Sequence, residues 1–132
     1  ATMSQMFRNA TVFNQNLNGW DTSSVTTMGE MFDSASAFNQ PVNNWDTSSV
    51  INMFRMFQFA TLFNQPLNDW DTSNVTIMGQ MLRSNAFNQP LDNWDTGNVT
   101  DMSNMFASRP FNQDIGGWDV TALTTANGMF TR

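Results

Sequence analysis

The sequence predicts an α/β repeat solenoid, with short parallel strands on one face and short helical turns on the other. Three observations lead there: a Trp-Asp pair, an FNQ triplet and a methionine pair each recur along the 132 residues, in phase with one another. Trp20-Asp21, Trp45-Asp46, Trp70-Asp71, Trp94-Asp95 and Trp118-Asp119 follow at spacings of 25, 25, 24 and 24 residues. FNQ begins at Phe13, Phe38, Phe63, Phe87 and Phe111, and the methionine pairs are Met3/Met6, Met28/Met31, Met53/Met56, Met78/Met81 and Met102/Met105.

One unit reads M-x-x-M-F-x-x-A-x-x-F-N-Q-P-L-x-x-W-D-T-S-x-V-T-x, which divides the chain into repeats 3–27, 28–52, 53–77, 78–101 and 102–125 and a partial repeat 126–132. Phe13, Gln15 and Leu17 alternate at period two, as a short strand with one buried face does. Asp21-Thr22-Ser23 supplies the side-chain oxygens that cap the amides of a helix start. Val25, Met28, Met31 or Phe32, and Ala35 then recur every three to four positions, the spacing of a short helix burying one face. The two shorter units each lose a residue between the Met-Phe pair and FNQ, so the segment 105–111 is expected to be a loop. A wholly β solenoid, with the Val-Met-Met segment in turns, is the alternative architecture. Under either, one unit cannot bury its own Phe, Met and Trp faces, and stacking on a neighbour must do so.

Composition narrows the chemistry. The chain holds 12 Phe, 11 Met and 5 Trp but no Cys, His, Tyr or Lys; its five basic residues are all Arg. It therefore lacks the general bases that work near neutral pH, the thiolate nucleophile, the Schiff-base amine and most transition-metal ligands. No enzyme activity and no cofactor are expected. A net charge of -6 argues against nucleic acid and against an anionic membrane surface. No stretch of 18 apolar residues exists, and no basic segment followed by an apolar run marks a signal peptide within these 132 residues. The absence of cysteine fits a reducing compartment or a secreted bacterial protein stabilised by stacking.

The string F-N-Q-P-L-x-x-W-D-T-S-x-V-T-x-M-x-x-M-F, best kept at Phe38 to Phe57 and Phe63 to Leu82, resembles the bacterial surface protein repeat family grouped with the BspA-like leucine-rich repeats. The resemblance covers nearly the whole chain. It implies a leucine-rich-repeat-like solenoid, carried on surface proteins and lipoproteins of bacteria including Listeria-like and mycoplasma-like organisms, and it implies no known reaction. The last unit departs from the pattern at Asp114, Gly116, Gly117 and Val120. Because the chain starts inside one Met-Phe segment and stops inside another, it is expected to be a fragment of a longer array.

The polar rows divide into structural and functional readings. Asn14, Asn39, Asn64, Asn88 and Asn112, with a Gln after each, are expected to bond neighbouring backbone; facing solvent, they would form a comb for glycans or an extended peptide. The Trp row 20, 45, 70, 94, 118 is assigned to the core. Asp21, Asp46, Asp71, Asp95 and Asp119 are assigned to helix capping, with calcium bridging as the rival reading. The Thr columns at 22, 47, 72, 96 and at 26, 76, 100, 124 could form an ice-binding array, but Ile51 interrupts the second and the first sits where a cap is wanted. The nearest carboxylate pairs, Asp69/Asp71 and Glu30/Asp33, are assigned to solvated surface. The informative irregularity is the third unit, where Phe54 and Phe59 replace small or polar residues; with Leu62 they form either a partner surface or a satellite core.

The functional expectation is a non-enzymatic, secreted or cell-surface adhesion module that binds a host or cell-surface protein or glycan through an extended repeat face. A structural spacer projecting another domain is the alternative. Head-to-tail self-association through uncapped ends is expected as well.

Overall fold

The computed structural model describes residues 1–109 and 111–132. Its unit is a coil made of linked turns, and the hydrogen bonds of the Met-Phe segment show why. Within the second coil, 28–52, the amides of Met31, Asp33 and Ala35 donate to carbonyls three residues back, Met28, Glu30 and Phe32. The amides that alternate with them leave the coil: Glu30, Phe32 and Ser34 donate to Phe54, Met56 and Gln58 of the next one at 2.7–2.8 Å, and Met28 donates to Asn52, at the junction with it, at 3.0 Å. Alternate amides thus close a local turn and reach the next coil.

Left-handed backbone makes this alternation work. Glu30 (φ 58°) and Ser34 (φ 61°) are left-handed, as are Gln5 and Asn9, Arg55 and Phe59, Gln80 and Ser84, and Asn104 and Ser108. A helix needs an unbroken run of right-handed residues bonding four back, so a left-handed residue every fourth position stops it.

The α/β solenoid expected from the sequence is therefore not what the chain forms, and the leucine-rich-repeat likeness falls with it. Among the described residues there is no helix, and strand-type pairing is confined to the single parallel bridges Thr2–Thr27–Asn52–Ile77–Asp101–Thr125. The helical reading failed because a spacing of three to four is also that of consecutive turns. The strand reading of Phe13 to Leu17 failed because side-chain amides, described below, replace the backbone ladder there. The Val-Met-Met segment does lie in turns, yet the strands of the wholly β alternative are missing too. Of the expected loop 105–111, Pro110 lies outside the described residues.

The core is a set of aromatic columns. Within a coil the Met-Phe ring faces the FNQ ring at 4.0 Å, in Phe32–Phe38, Phe57–Phe63 and Phe106–Phe111. Between coils the rings stack offset, Phe32–Phe57 at 5.5 Å and Phe38–Phe63 at 5.9 Å. Met28, Met31, Met53, Met56, Met78 and Met81 fill the space beside them, all fully buried. Leu82 interrupts the first column in the fourth coil. Each buried side chain of this size contributes about 1.5–3 kcal/mol relative to exposure, which a neighbouring coil completes.

Candidate functional site

Most of the repeated polar residues lace coil to coil. Asn14, Asn39, Asn64 and Asn88 each use Oδ1 to accept the amide of the next Asn in the row at 2.9–3.2 Å. The Gln after each of those next residues donates its Nε2 to the same Asn, as Gln65 does to the Asn39 carbonyl at 3.0 Å. Indole Nε1 groups of Trp45, Trp70, Trp94 and Trp118 donate to carbonyls of Leu17, Val42, Leu67 and Leu91 at 2.9–3.1 Å; Trp20 is partly exposed. Thr22, Thr47, Thr72 and Thr96, all buried, donate to the carbonyls of Asp46, Asp71, Asp95 and Asp119. In the second column Thr26, Thr76, Thr100 and Thr124 donate to carbonyls of the preceding coil. Neither column offers a free hydroxyl array.

The Asp row has no helix to cap. Asp21, Asp46, Asp71 and Asp119 instead accept the amide and hydroxyl of the residue two ahead, Ser23, Ser48, Ser73 and Thr121, and Asp95 accepts the Gly97 amide at 3.0 Å. The hydroxyl first, then the amide, hold these four carboxyls below the ordinary aspartate value of 3.8, and repulsion along the row, Asp21 on Asp46 and Asp46 on Asp71, is the weakest influence. Local hydrogen bonding outweighs like charge. A lowered folded pKa adds stability above the unfolded value and loses it as pH falls through the folded one. The thermal midpoint is therefore expected to hold down to about pH 4 and to fall below it, with Asp46→Asn and Asp71→Asn blunting that acid limb. Asp33 acts oppositely: burial raises its carboxyl, so its contribution is fully present below 3.8 and is lost as pH rises through the raised value.

The carboxylate pairs are occupied. Arg8 bridges Glu30 at 2.9 Å and Asp33 at 3.6 Å, while Asp69 accepts the Asn43 side-chain amide at 2.7 Å. Among the described residues no three His, Cys, Asp or Glu side chains gather as a metal-ligand set. A groove of about 420 Å3 lies over Ser49, Ile51, Asn74, Thr76 and Asn98. Its Ser49, Asn74 and Asn98 side chains donate to the carbonyls of Ser23, Ser48 and Ser73 at 2.7–3.0 Å. This groove is part of the lacing.

The third coil breaks the pattern. Phe54 is half-buried, while Phe59 and Leu62 are 40% and 59% exposed. Two residues missed in the sequence complete the patch: the guanidinium of Arg55 lies 4.8 Å from the Phe54 ring centroid, and that of Arg83 in the next coil 5.8 Å from the Phe59 centroid. Gln58, 5% exposed, and Arg83 both donate to Gln80 Oε1, at 3.3 and 3.1 Å. Arg8, Asp33, Gln58 and Arg83 stand 25 residues apart, at one phase of the unit, so their shared column was open to a reading by phase.

Coils joined by backbone and side-chain rungs of fixed phase, around ring columns, define a stacked repeat protein with one irregular face. Residues 1–85 and again 67–132 match the family described as Mycoplasma protein of unknown function, DUF285, and the chain belongs to that family. No curated protein and no solved structure matches the chain. Among the described residues no helix is long and apolar enough to cross a membrane.

Proposed function

We propose that the chain is a recognition module displayed on a bacterial cell surface, binding a protein partner through the face built from Phe54, Phe59 and Leu62. Phe59 carries this reading. It is an exposed ring at φ 56°, whereas the equivalent left-handed positions hold Asn9, Ser34, Ser84 and Ser108. A left-handed residue with a bulky side chain costs roughly 1–2 kcal/mol, and Asn tolerates that conformation best after Gly. A ring that is exposed and strained serves stability poorly, which leaves contact with a partner as its use. The resemblance of the FNQ and Trp-Asp strings to bacterial surface repeats supports the location, and the family's Mycoplasma description supports a bacterial source.

Phe59→Asn is accordingly expected to raise stability by up to about 1 kcal/mol and to abolish binding. Thermal melts, together with binding of the labelled chain to host cells and to arrays of surface proteins and glycans, test both halves. Undiminished binding by the variant would sink the reading. The spacer alternative draws on the uniform Asn, Trp and Thr rows, and under it neither the parent chain nor the variant binds anything.

A second copy is a further proposed partner. In the 132-residue chain Trp20 and Met6 at one end and Phe130 at the other are exposed, so association that grows with concentration is expected. Sedimentation of a strict monomer at high concentration would remove that partner.

A further inference from the structure

The irregular face has an electrostatic character that the rest of the molecule lacks. Of five guanidiniums and eleven side-chain carboxylates in the chain, Arg8, Arg55 and Arg83 lie here with Glu30 and Asp33, leaving two arginines and nine carboxylates elsewhere. Arg8 is committed to both carboxylates. Among the described residues Arg55 and Arg83 form no ion pair, although each is held against a phenyl ring. Ring faces orient a guanidinium without neutralising it, so both forks keep their charge available to a carboxylate.

The polar atoms beneath them are unmatched. Arg55 Nε, Arg83 Nε and Gln58 Oε1 are buried without a hydrogen-bond partner, and Gln58 as a whole is 95% buried, being 5% exposed. Gln58 and Arg83 share Gln80 Oε1, and the Arg55 amide donates to the carbonyl of Gly79 beside it, so two orphaned donors and one orphaned acceptor on adjoining coils mark a network that the chain does not complete by itself. Shifts of the two guanidiniums toward an incoming anion would match the donors and open Gln58 Oε1 to a donor from the same ligand.

Resting on the recognition reading of this face, we infer that the partner is a peptide segment that sets a carboxylate beside an apolar side chain. The carboxylate takes the Arg55 and Arg83 forks. A main-chain N–H of the segment supplies Gln58 Oε1, and the apolar residue covers Phe59 and Leu62. A polyanionic glycan fits less well, since only two free guanidiniums would face it while nine carboxylates elsewhere repel it.

The test uses the full chain and two labelled peptides, one of alternating Glu and Leu and its counterpart with Gln in place of Glu, with heparin fragments and sialyllactose as glycan arms. The Glu peptide is expected to bind at least about tenfold more tightly than the Gln peptide, and more weakly as salt rises. Arg55→Gln and Arg83→Gln should each lower its affinity about tenfold, Arg55→Lys and Arg83→Lys less, and Arg132→Gln, a change of equal charge elsewhere, not at all. Circular dichroism and melts establish that each variant is folded. Equal affinity for the two peptides, no binding of either, or preference for a glycan arm overturns the inference. If Phe59→Asn abolishes cell or array binding while the Arg→Gln variants retain it, the acidic partner fails and the recognition face stands. If none of these changes alters that binding, both fail.

Discussion

Phe57→Ala is expected to destabilise the chain by about 3–5 kcal/mol, the usual cost of truncating a fully buried phenyl group. Phe57 is 0% exposed and sits in two directions of stacking at once, 4.0 Å from Phe63 in its own coil and 5.5 Å from Phe32 in the preceding one, with Trp70 6.2 Å away. Small domains are stable by only about 5–15 kcal/mol, so the loss is a large part of the whole. Because neighbours supply most of each coil's burial, the cavity should also uncouple the stack. Urea unfolding is then expected to broaden or split into two steps in the variant. Phe130→Ala, at a ring already 55% exposed, should change the midpoint little. A loss below about 1 kcal/mol for Phe57→Ala would mean that the ring columns are not the main support.

Removing residues 53–77 should leave a folded protein with a markedly smaller unfolding enthalpy. The cut joins Asn52 to Met78, which have the same phase as Asn52 and Met53, so Asn39 meets Asn88 and Trp45 meets Trp94 in register. At about 0.7 kcal/mol per residue, the missing coil should take away on the order of 17 kcal/mol of calorimetric enthalpy. It also takes Phe54, Arg55, Phe59 and Leu62, so binding must vanish with it. Removing 53–64 instead puts every ring and amide out of phase, and the product should not fold. If the two deletions behave alike, stacking by phase is not what organises the chain.

The period, the core positions and the polar rows were legible because identical residues at identical phase must meet when coils stack. The conformation of the coil was not. Met28, Met31 and Ala35 fit both a helix and a string of turns, and the left-handed residues that decide between them are mostly polar, Glu30 and Ser34 among them; Gly128 is the one glycine at such a position among the described residues, too little to announce the rest. Asp-Thr-Ser was read as a cap because the same carboxylate that would bond helix amides bonds the amide two residues ahead in a turn. The strand reading of FNQ missed that Asn39 Oδ1 takes the place of a main-chain carbonyl as the acceptor for Asn64. At the candidate site Phe54 and Phe59 stood out as departures from the unit, with Leu62 beside them, whereas the approach of Arg55 and Arg83 to the two rings comes from the turn geometry.

The direction of the rungs has a mechanical consequence. Bonds such as Phe32 N to Met56 O and Trp70 Nε1 to Val42 O run from one coil to the next, along the direction in which the chain would be pulled by its two ends. Load on such a column opens its terminal coil first, since that one is held from a single side. Each opening would release one unit of 24 to 25 residues, roughly 80 Å of contour. The protein should lengthen under force as a series of near-equal steps, one coil at a time, rather than in a single break.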